Sequence, residues 1–257
     1  MRYWTSDYHF SHPSIIKYCG RKFKNIERMA EVYIQRANMR AKNKDDVIIH
    51  VGDFCCWGNE RGIKGSKIKA QDYLDKFNAT VILLEGNHDS NNKVKSYIKT
   101  ALVNLGNAYT NVSVGHYPSH YEEAANSFFP GTLRLCGHIH GNKAWKWYWD
   151  SKNRVLNINV GIDHWKQGIV SDNEIIVYAN DIIRKLSNDM NYGMLKRNNL
   201  ITKIINIFRH EKNKKIQKYQ DSFPQSMPRE DRFGDLQFVY CKKDSKSRAR
   251  IYQKNKQ

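Results

Sequence analysis

At 257 residues the chain is long enough for one sizeable domain with an appendage. Its 40% hydrophobic content suits a packed core, and no apolar run approaches the length of a membrane-spanning helix. The formal charge of +18 favours polyanionic partners, or simply keeps the protein soluble.

The chain opens Met1-Arg2-Tyr3-Trp4-Thr5, without the apolar stretch of a signal peptide. Arg2 to Ser6 reads as a buried first strand. Pro13 opens a helical turn, and Ile26 to Arg40 has helical spacing, with Met29, Val32, Tyr33, Arg36 and Ala37 three or four apart. Val47 to Val51 is β-branched and apolar, as in a strand buried on both faces. Gly58 to Gly65 reads as a loop, and Ser66 as the cap of a helix from Lys67 to Phe77. Thr80 to Glu85 is the next buried strand, and Asn91 to Thr100 a short helix. Further strands are expected at Asn111–Val114, Leu133–Cys136, Arg154–Val160 and Glu174–Tyr178, before a last helix from Asp181. Strand–helix alternation followed by a run of strands predicts two sheets packed face to face, with helices outside.

Charge breaks the chain near residue 184. The first 183 residues hold 24 Lys and Arg against 18 Asp and Glu; the rest hold 19 against 7. Residues 1–183 are therefore expected to be the folded domain, and 184–257 a basic, partly helical extension. In the extension, Leu200, Ile204, Ile205 and Phe208 share a helical face, Pro224 to Arg229 is linker-like, and Leu236 to Tyr240 is a short strand. The five cysteines lack zinc-type spacing and read as reduced thiols, which predicts a cytoplasmic protein. Adjacent Cys55 and Cys56 read as small buried residues.

Five apolar runs end in clusters that are poor core material and suit functional loops. They are Asp7-Tyr8-His9, Gly52-Asp53, Gly86-Asn87-His88-Asp89, Gly115-His116-Tyr117-Pro118 and Gly137-His138-Ile139-His140. Asp7, His9, Asp53, Asn87, His116, His138 and His140 exceed what one tetrahedral zinc needs and suit two adjacent divalent ions sharing a carboxylate. Mixed imidazole and carboxylate shells favour Mn, with Fe, Zn, Ni or Mg as other candidates. On an extended segment, i and i+2 point the same way, so Asp7 and His9 would grip one ion. His138 and His140 share that spacing and serve one ion or flank two. Two metals about 3.5–4 Å apart clamp the attacking and leaving oxygens of phosphoryl transfer. His88, with Asp89 beside it to orient or charge it, would stabilise the developing charge or protonate the leaving oxygen.

In their order and residue types, these blocks resemble the calcineurin-like metallophosphoesterase superfamily over roughly residues 1–180. The resemblance implies an α/β, four-layer α-β-β-α sandwich. It also implies one metal on Asp7, His9, Asp53 and His140 and a second on Asp53, Asn87, His116 and His138, with His88 as acid or charge stabiliser. The stretch Trp4 to Tyr18 is similar to a small, phage-rich bacterial branch, which would place a phage-encoded chain in the host cytoplasm. Such sites serve monoesters, diesters, nucleotides and nucleic acids alike, so the metal blocks do not choose a substrate.

His12 and Arg21 are candidate contacts to a substrate phosphate. His50 reads as a hydrogen-bonded core histidine. Trp145, Trp147 and Trp149 read as one face of a strand or as a base-stacking wall. The competing function is a nucleic-acid-binding protein with a secondary or vestigial metal centre, since the extension is basic and Tyr219, Phe223, Phe233 and Tyr240 are interleaved in it.

Overall fold

The computed structural model describes residues 1–56, 59–60, 63–64, 68–89, 98–106, 109–124, 132–141, 144–166, 168–193 and 236–240. The first half of the chain forms β1 (Arg2–Thr5), α1 (Ile15–Tyr18), α2 (Ile26–Arg40), β2 (Val47–Val51), β3 (Asn59–Glu60), β4 (Ile63–Lys64), α3 (Ala70–Leu74), β5 (Thr80–Leu84) and β6 (Ile98–Leu105). The second forms β7 (Tyr109–Gly115), β8 (Leu133–Cys136), β9 (Trp147–Asp150), β10 (Val155–Asn159), β11 (Val170–Ser171), α4 (Asp172–Gly193) and β12 (Leu236–Tyr240).

Two sheets result, ordered β11-β1-β2-β5 and β12-β6-β7-β8-β10-β9. In the first, β1, β2 and β5 are parallel and β11 is antiparallel. In the second, β7, β8 and β10 are parallel, and β6, β9 and β12 are antiparallel to their neighbours. Strand alternation divides the core. Tyr3, Ile48, Val81 and Leu83 face Met29, Tyr33, Ala37 and Tyr73 under the helices. Trp4, Ile49, Ile82 and Leu84 face Val112, Val114, Leu135 and Ile158 of the second sheet. The first sheet is therefore buried on both sides, as its near-continuous apolar strands require. The fold is mixed α/β with two packed sheets, as expected from the sequence.

Helix α2 begins where Asn25 Oδ1 accepts the Arg28 N–H at 2.9 Å. Several elements differ from expectation. Ile98 to Thr100, expected to end a helix, instead start β6, which pairs along β7. Glu174–Tyr178, expected as a strand, is the start of α4. Ser171 and Glu174 form a capping box there, with Ser171 N–H donating to Glu174 Oε2 at 2.8 Å and Glu174 N–H to Ser171 Oγ at 3.4 Å. Ile175, Ala179 and Ile182 then pack with the inter-sheet core at helical spacing. The loop at Gly58–Gly65 contains the β3–β4 hairpin. Helix α3 is shorter than the Lys67–Phe77 expected, and its proposed cap Ser66 lies outside the described residues.

The charge break at residue 184 falls inside α4. Strand β12, from the basic extension, lies antiparallel along β6 at the edge of the second sheet. The expected face of Leu200, Ile204, Ile205 and Phe208, the linker Pro224–Arg229, and Tyr219, Phe223 and Phe233 lie outside the described residues.

Candidate metal centre

The loops after β1, β2 and β5 in the first sheet meet those after β7 and β8 in the second. The first two are zipped together: Asp7, His9 and Phe10 donate main-chain N–H groups to the Gly52, Asp53 and Phe54 carbonyls at 3.0–3.1 Å. His138 N–H crosses between the sheets to Asp7 Oδ1 at 3.1 Å. Arg134, buried in β8, donates to the Tyr117 carbonyl at 2.8 Å and holds the loop that carries His116.

Asp7 and His9 do converge, but not through the extended geometry their spacing suggested. Their φ angles are 59° and 50°, and Asp53 and His138 stand at 58° and 71°. These four lie in the left-handed region, which L-residues enter at a cost and which clusters at functional sites. The side chains aim inward because the main chain turns sharply.

Asp89 holds the turns. Its Oδ2 accepts the Asp53 and Gly86 N–H groups at 2.7 and 2.9 Å, and its Oδ1 accepts the Phe54 N–H at 2.9 Å. Both oxygens are committed to main chain, tying the β2 loop to the β5 loop. Gly86 is required by this approach: a Cβ there would lie 2.2 Å from Asp53 Oδ1. Gly52 has φ +86° and would place a Cβ 2.4 Å from His116 Nδ1.

All seven expected ligands come together. Asp7, His9 and His140 form one group with ligand atoms within 4.8 Å of one another; Asp53, His116 and His138 form another. Asp53 also groups with His9 and His88. Asn87 Oδ1 lies 3.0 Å from His116 Nε2 and 3.1 Å from His138 Nδ1, and those two nitrogens are 3.3 Å apart. His116 Nδ1 is 2.9 Å from the Val51 carbonyl, an arrangement that places a ring proton there and turns Nε2 inward. His116 Nε2 also lies 3.3 Å from Asp53 Oδ2, which favours a proton on that nitrogen, and a divalent cation would take the proton's place among these donors. Neither ring nitrogen of His9, buried at 1% exposure, has a hydrogen-bond partner among the described residues. The donors therefore fit divalent cations.

Electrostatics agree. Burial alone would raise Asp53, but the imidazoles of His116, His9 and His88 outweigh it and hold the carboxyl well below its usual range. Burial lowers His138 to about 4, helped by nearby His116. Burial opposes protonation of His116 too, yet Asp53 overrides it and lifts this imidazole to about 9. Burial, then the Asp53 charge, push Asp89 upward. Asp7, His9, Asp53 and His116 are buried, whereas Asn87, His88, His138 and His140 are half-buried, so the site opens on the latter side.

The remaining candidates sit around this centre. The His12 ring lies 5.7 Å from that of His9 and 6.3 Å from that of His88. Arg21 approaches from behind: Nη2 donates to the Asp7 carbonyl at 2.7 Å, Nη1 to the Tyr8 carbonyl at 3.0 Å, and Nε to Asp163 Oδ1 at 2.8 Å. Its fork grips the ligand-bearing loop. His50 is a core residue packed on Tyr8 and Phe54, with ring centroids 4.8 and 5.1 Å away. Contrary to expectation, neither of its ring nitrogens has a hydrogen-bond partner among the described residues, and burial lowers its pKa to about 3.

Sequence reasoning missed Asp163 and Cys19. Cys19 Sγ lies 2.9 Å from His140 Nδ1. For Asp163 a signal existed: Gly161-Ile162-Asp163-His164 follows the β10 strand just as the five clusters follow theirs. For Cys19, on the short turn after α1, none did.

A protein of unknown function from Aquifex aeolicus, known from its crystal structure, shares this fold with a TM-score of 0.53 at 21% identity, covering 69% of this chain and 98% of that one. An uncharacterized protein of Methanocaldococcus jannaschii is 28% identical over 165 residues, 64% of this chain and 84% of that protein. The calcineurin-like phosphoesterase model matches residues 3–177, a span that takes in every strand-end cluster, and the chain belongs to that family of metal-dependent enzymes acting on phosphate esters.

Proposed function

We propose that residues 1–183 hydrolyse a phosphomonoester or phosphodiester with two divalent ions, Mn foremost. One ion is assigned to Asp7, His9, Asp53 and His140, the other to Asp53, Asn87, His116 and His138, with Asp53 shared. The convergence of Asp7, His9 and His140, and of Asp53, His116 and His138, each with ligand atoms within 4.8 Å of one another and with Asn87 Oδ1 3.0 Å from His116 Nε2, carries this reading. Bound there, divalent ions supply Lewis acidity toward a phosphoryl oxygen and lower the pKa of water.

The chain's own residues do the rest. Asp89 and the left-handed turns hold the donors in place before substrate arrives, so little reorganisation accompanies reaction. His88 is half-buried on the open side, with its main-chain N–H held by Asp53 Oδ1 at 2.9 Å. Its ring either protonates the leaving oxygen or balances charge on the transferring group. His12, beside His88, is assigned a phosphate contact. Arg21 acts through the Asp7–Tyr8 loop it grips.

Elemental analysis after Mn loading and desalting tests the assignment. Two ions per wild-type chain are expected, and Asp53→Asn should lose both. Zero or one in wild type sinks the dinuclear centre.

The basic extension, 184–257, is assigned the docking of polyanions, nucleic acid first. Its 19 Lys and Arg against 7 Asp and Glu support this.

A further inference from the structure

We propose that the ester's organic arm is a single nucleoside whose base stacks on an aromatic wall leading from the metal centre to the surface; this rests on the phosphoester reading above. The wall starts at the centre itself. The rings of Tyr117 and Tyr121 lie 4.7 and 5.1 Å from the His138 imidazole. Tyr121 is followed by His120 at 4.9 Å, and His120 by Tyr148 at 4.6 Å. Trp145 completes it, 5.7 Å from Tyr148 and 6.1 Å from His120. Each step is a ring-contact distance, so the surface is continuous.

These rings are not core. Tyr148 is 40% exposed, His120 is exposed, and Tyr117, Tyr121 and Trp145 are half-buried. Trp149, by contrast, packs against the inter-sheet core. The alternating tryptophans therefore do not share one role: Trp149 belongs to the core, while Trp145 joins Tyr148 on the wall. A run of rings that passes from half-buried beside the metal centre to exposed at the surface can gain stabilisation from a planar partner, and every base has a π-face to offer.

Charge sets the length of that partner. Glu122 and Glu123 are exposed and directly follow Tyr121. Two carboxylates beside the wall disfavour a second phosphate there. The occupant they allow has one phosphate at the metals and an uncharged planar group one ribose away, which is a nucleotide and not a strand.

The test uses Mn-loaded full-length protein and compares the affinity of adenosine monophosphate with that of methyl phosphate by calorimetry. Wild type should prefer the nucleotide by about tenfold, the scale of one base stacked on an aromatic ring. Tyr148→Ala and Tyr121→Leu should each cut this preference several-fold, and Tyr148→Phe should retain it. An equal affinity for the two ligands in wild type, or a preference that survives both ring deletions, overturns the wall. A gain in affinity with oligonucleotide length that Tyr148→Ala or Tyr121→Leu abolishes, and that therefore comes from the wall and not from the basic extension, overturns the single-nucleoside form. Hydrolysis of alkyl and aryl phosphate esters is followed in parallel. Turnover without nucleotide preference defeats the wall alone, whereas nucleotide preference without turnover of any ester supports the wall and defeats the phosphoester reading.

Discussion

Asp53 Oδ1 holds His88 by its main-chain N–H, a bond that alanine at 88 retains. His88→Ala should therefore keep two ions per chain, while turnover of an aryl phosphate ester falls by about 10²- to 10⁴-fold, as when a general acid is removed. Loss of metal instead of rate would make His88 a ligand, an alternative raised by its grouping with His9 and Asp53. Residues of this kind were legible because ligand chemistry demands particular side chains and the strand ends display them in a repeated pattern. What they lean on was less so. Arg21 meets Asp163 across 142 positions, and Cys19 meets His140 across 121, pairings made only when the sheets close. Asp89 was read as a partner for His88, and its grip on the Asp53 and Phe54 amides of another loop was not visible in the sequence.

Among the elements, β2, β8 and α2 were readable to the residue because each has a single strong pattern. Strand β6 was not: Lys99, Thr100 and Asn104 interrupt its apolar positions, and its alignment comes from pairing with β7. At α4 the apolar run Ile175-Ile176-Val177 looked like a strand, although the capping pair Ser171 and Glu174 marked a helix start. Asp150, which closes β9, organises the turn to β10. It accepts from Ser119 Oγ at 2.6 Å, Asn153 Nδ2 at 2.7 Å, and the Lys152 and Asn153 N–H groups at 3.0 and 3.1 Å. Burial acts to raise this carboxyl, but the Ser119 and Asn153 donors outweigh it and hold it below its ordinary 3.8. A carboxyl depressed in the folded state stabilises the fold above its unfolded pKa, and this is lost as pH falls through the folded value. Urea midpoints of wild type and Asp150→Asn should thus differ at neutral pH and converge below about pH 4. A gap that is the same at all pH values would mean that the charge of Asp150 is not what stabilises the turn.

Across the whole molecule, the family match ends at residue 177, close to the break in charge at 184. The break in charge does not carry into the topology: α4 runs through it, and β12 returns to the outer edge of β6. Truncation after Gly193 should therefore have two separable effects. Salt-sensitive binding of single-stranded DNA, followed by mobility shift at two salt concentrations, should be lost with the lysines and arginines. The uncovered β6 edge should also promote self-association, visible by light scattering. Equal DNA affinity for full-length and truncated chains would leave the extension with its sheet contact alone.

The grip of Asp89 on three amides has a consequence for motion. Loops that connect sheets to a site usually open on their own, well below the energy of global unfolding. Here the amides of Asp53, Phe54 and Gly86 share one buried acceptor, so none can be released without disturbing the others. In hydrogen exchange these loop amides should behave as members of the β2–β5 core, opening together and rarely. The part of the molecule assigned the chemistry should, on that clock, be among its slowest.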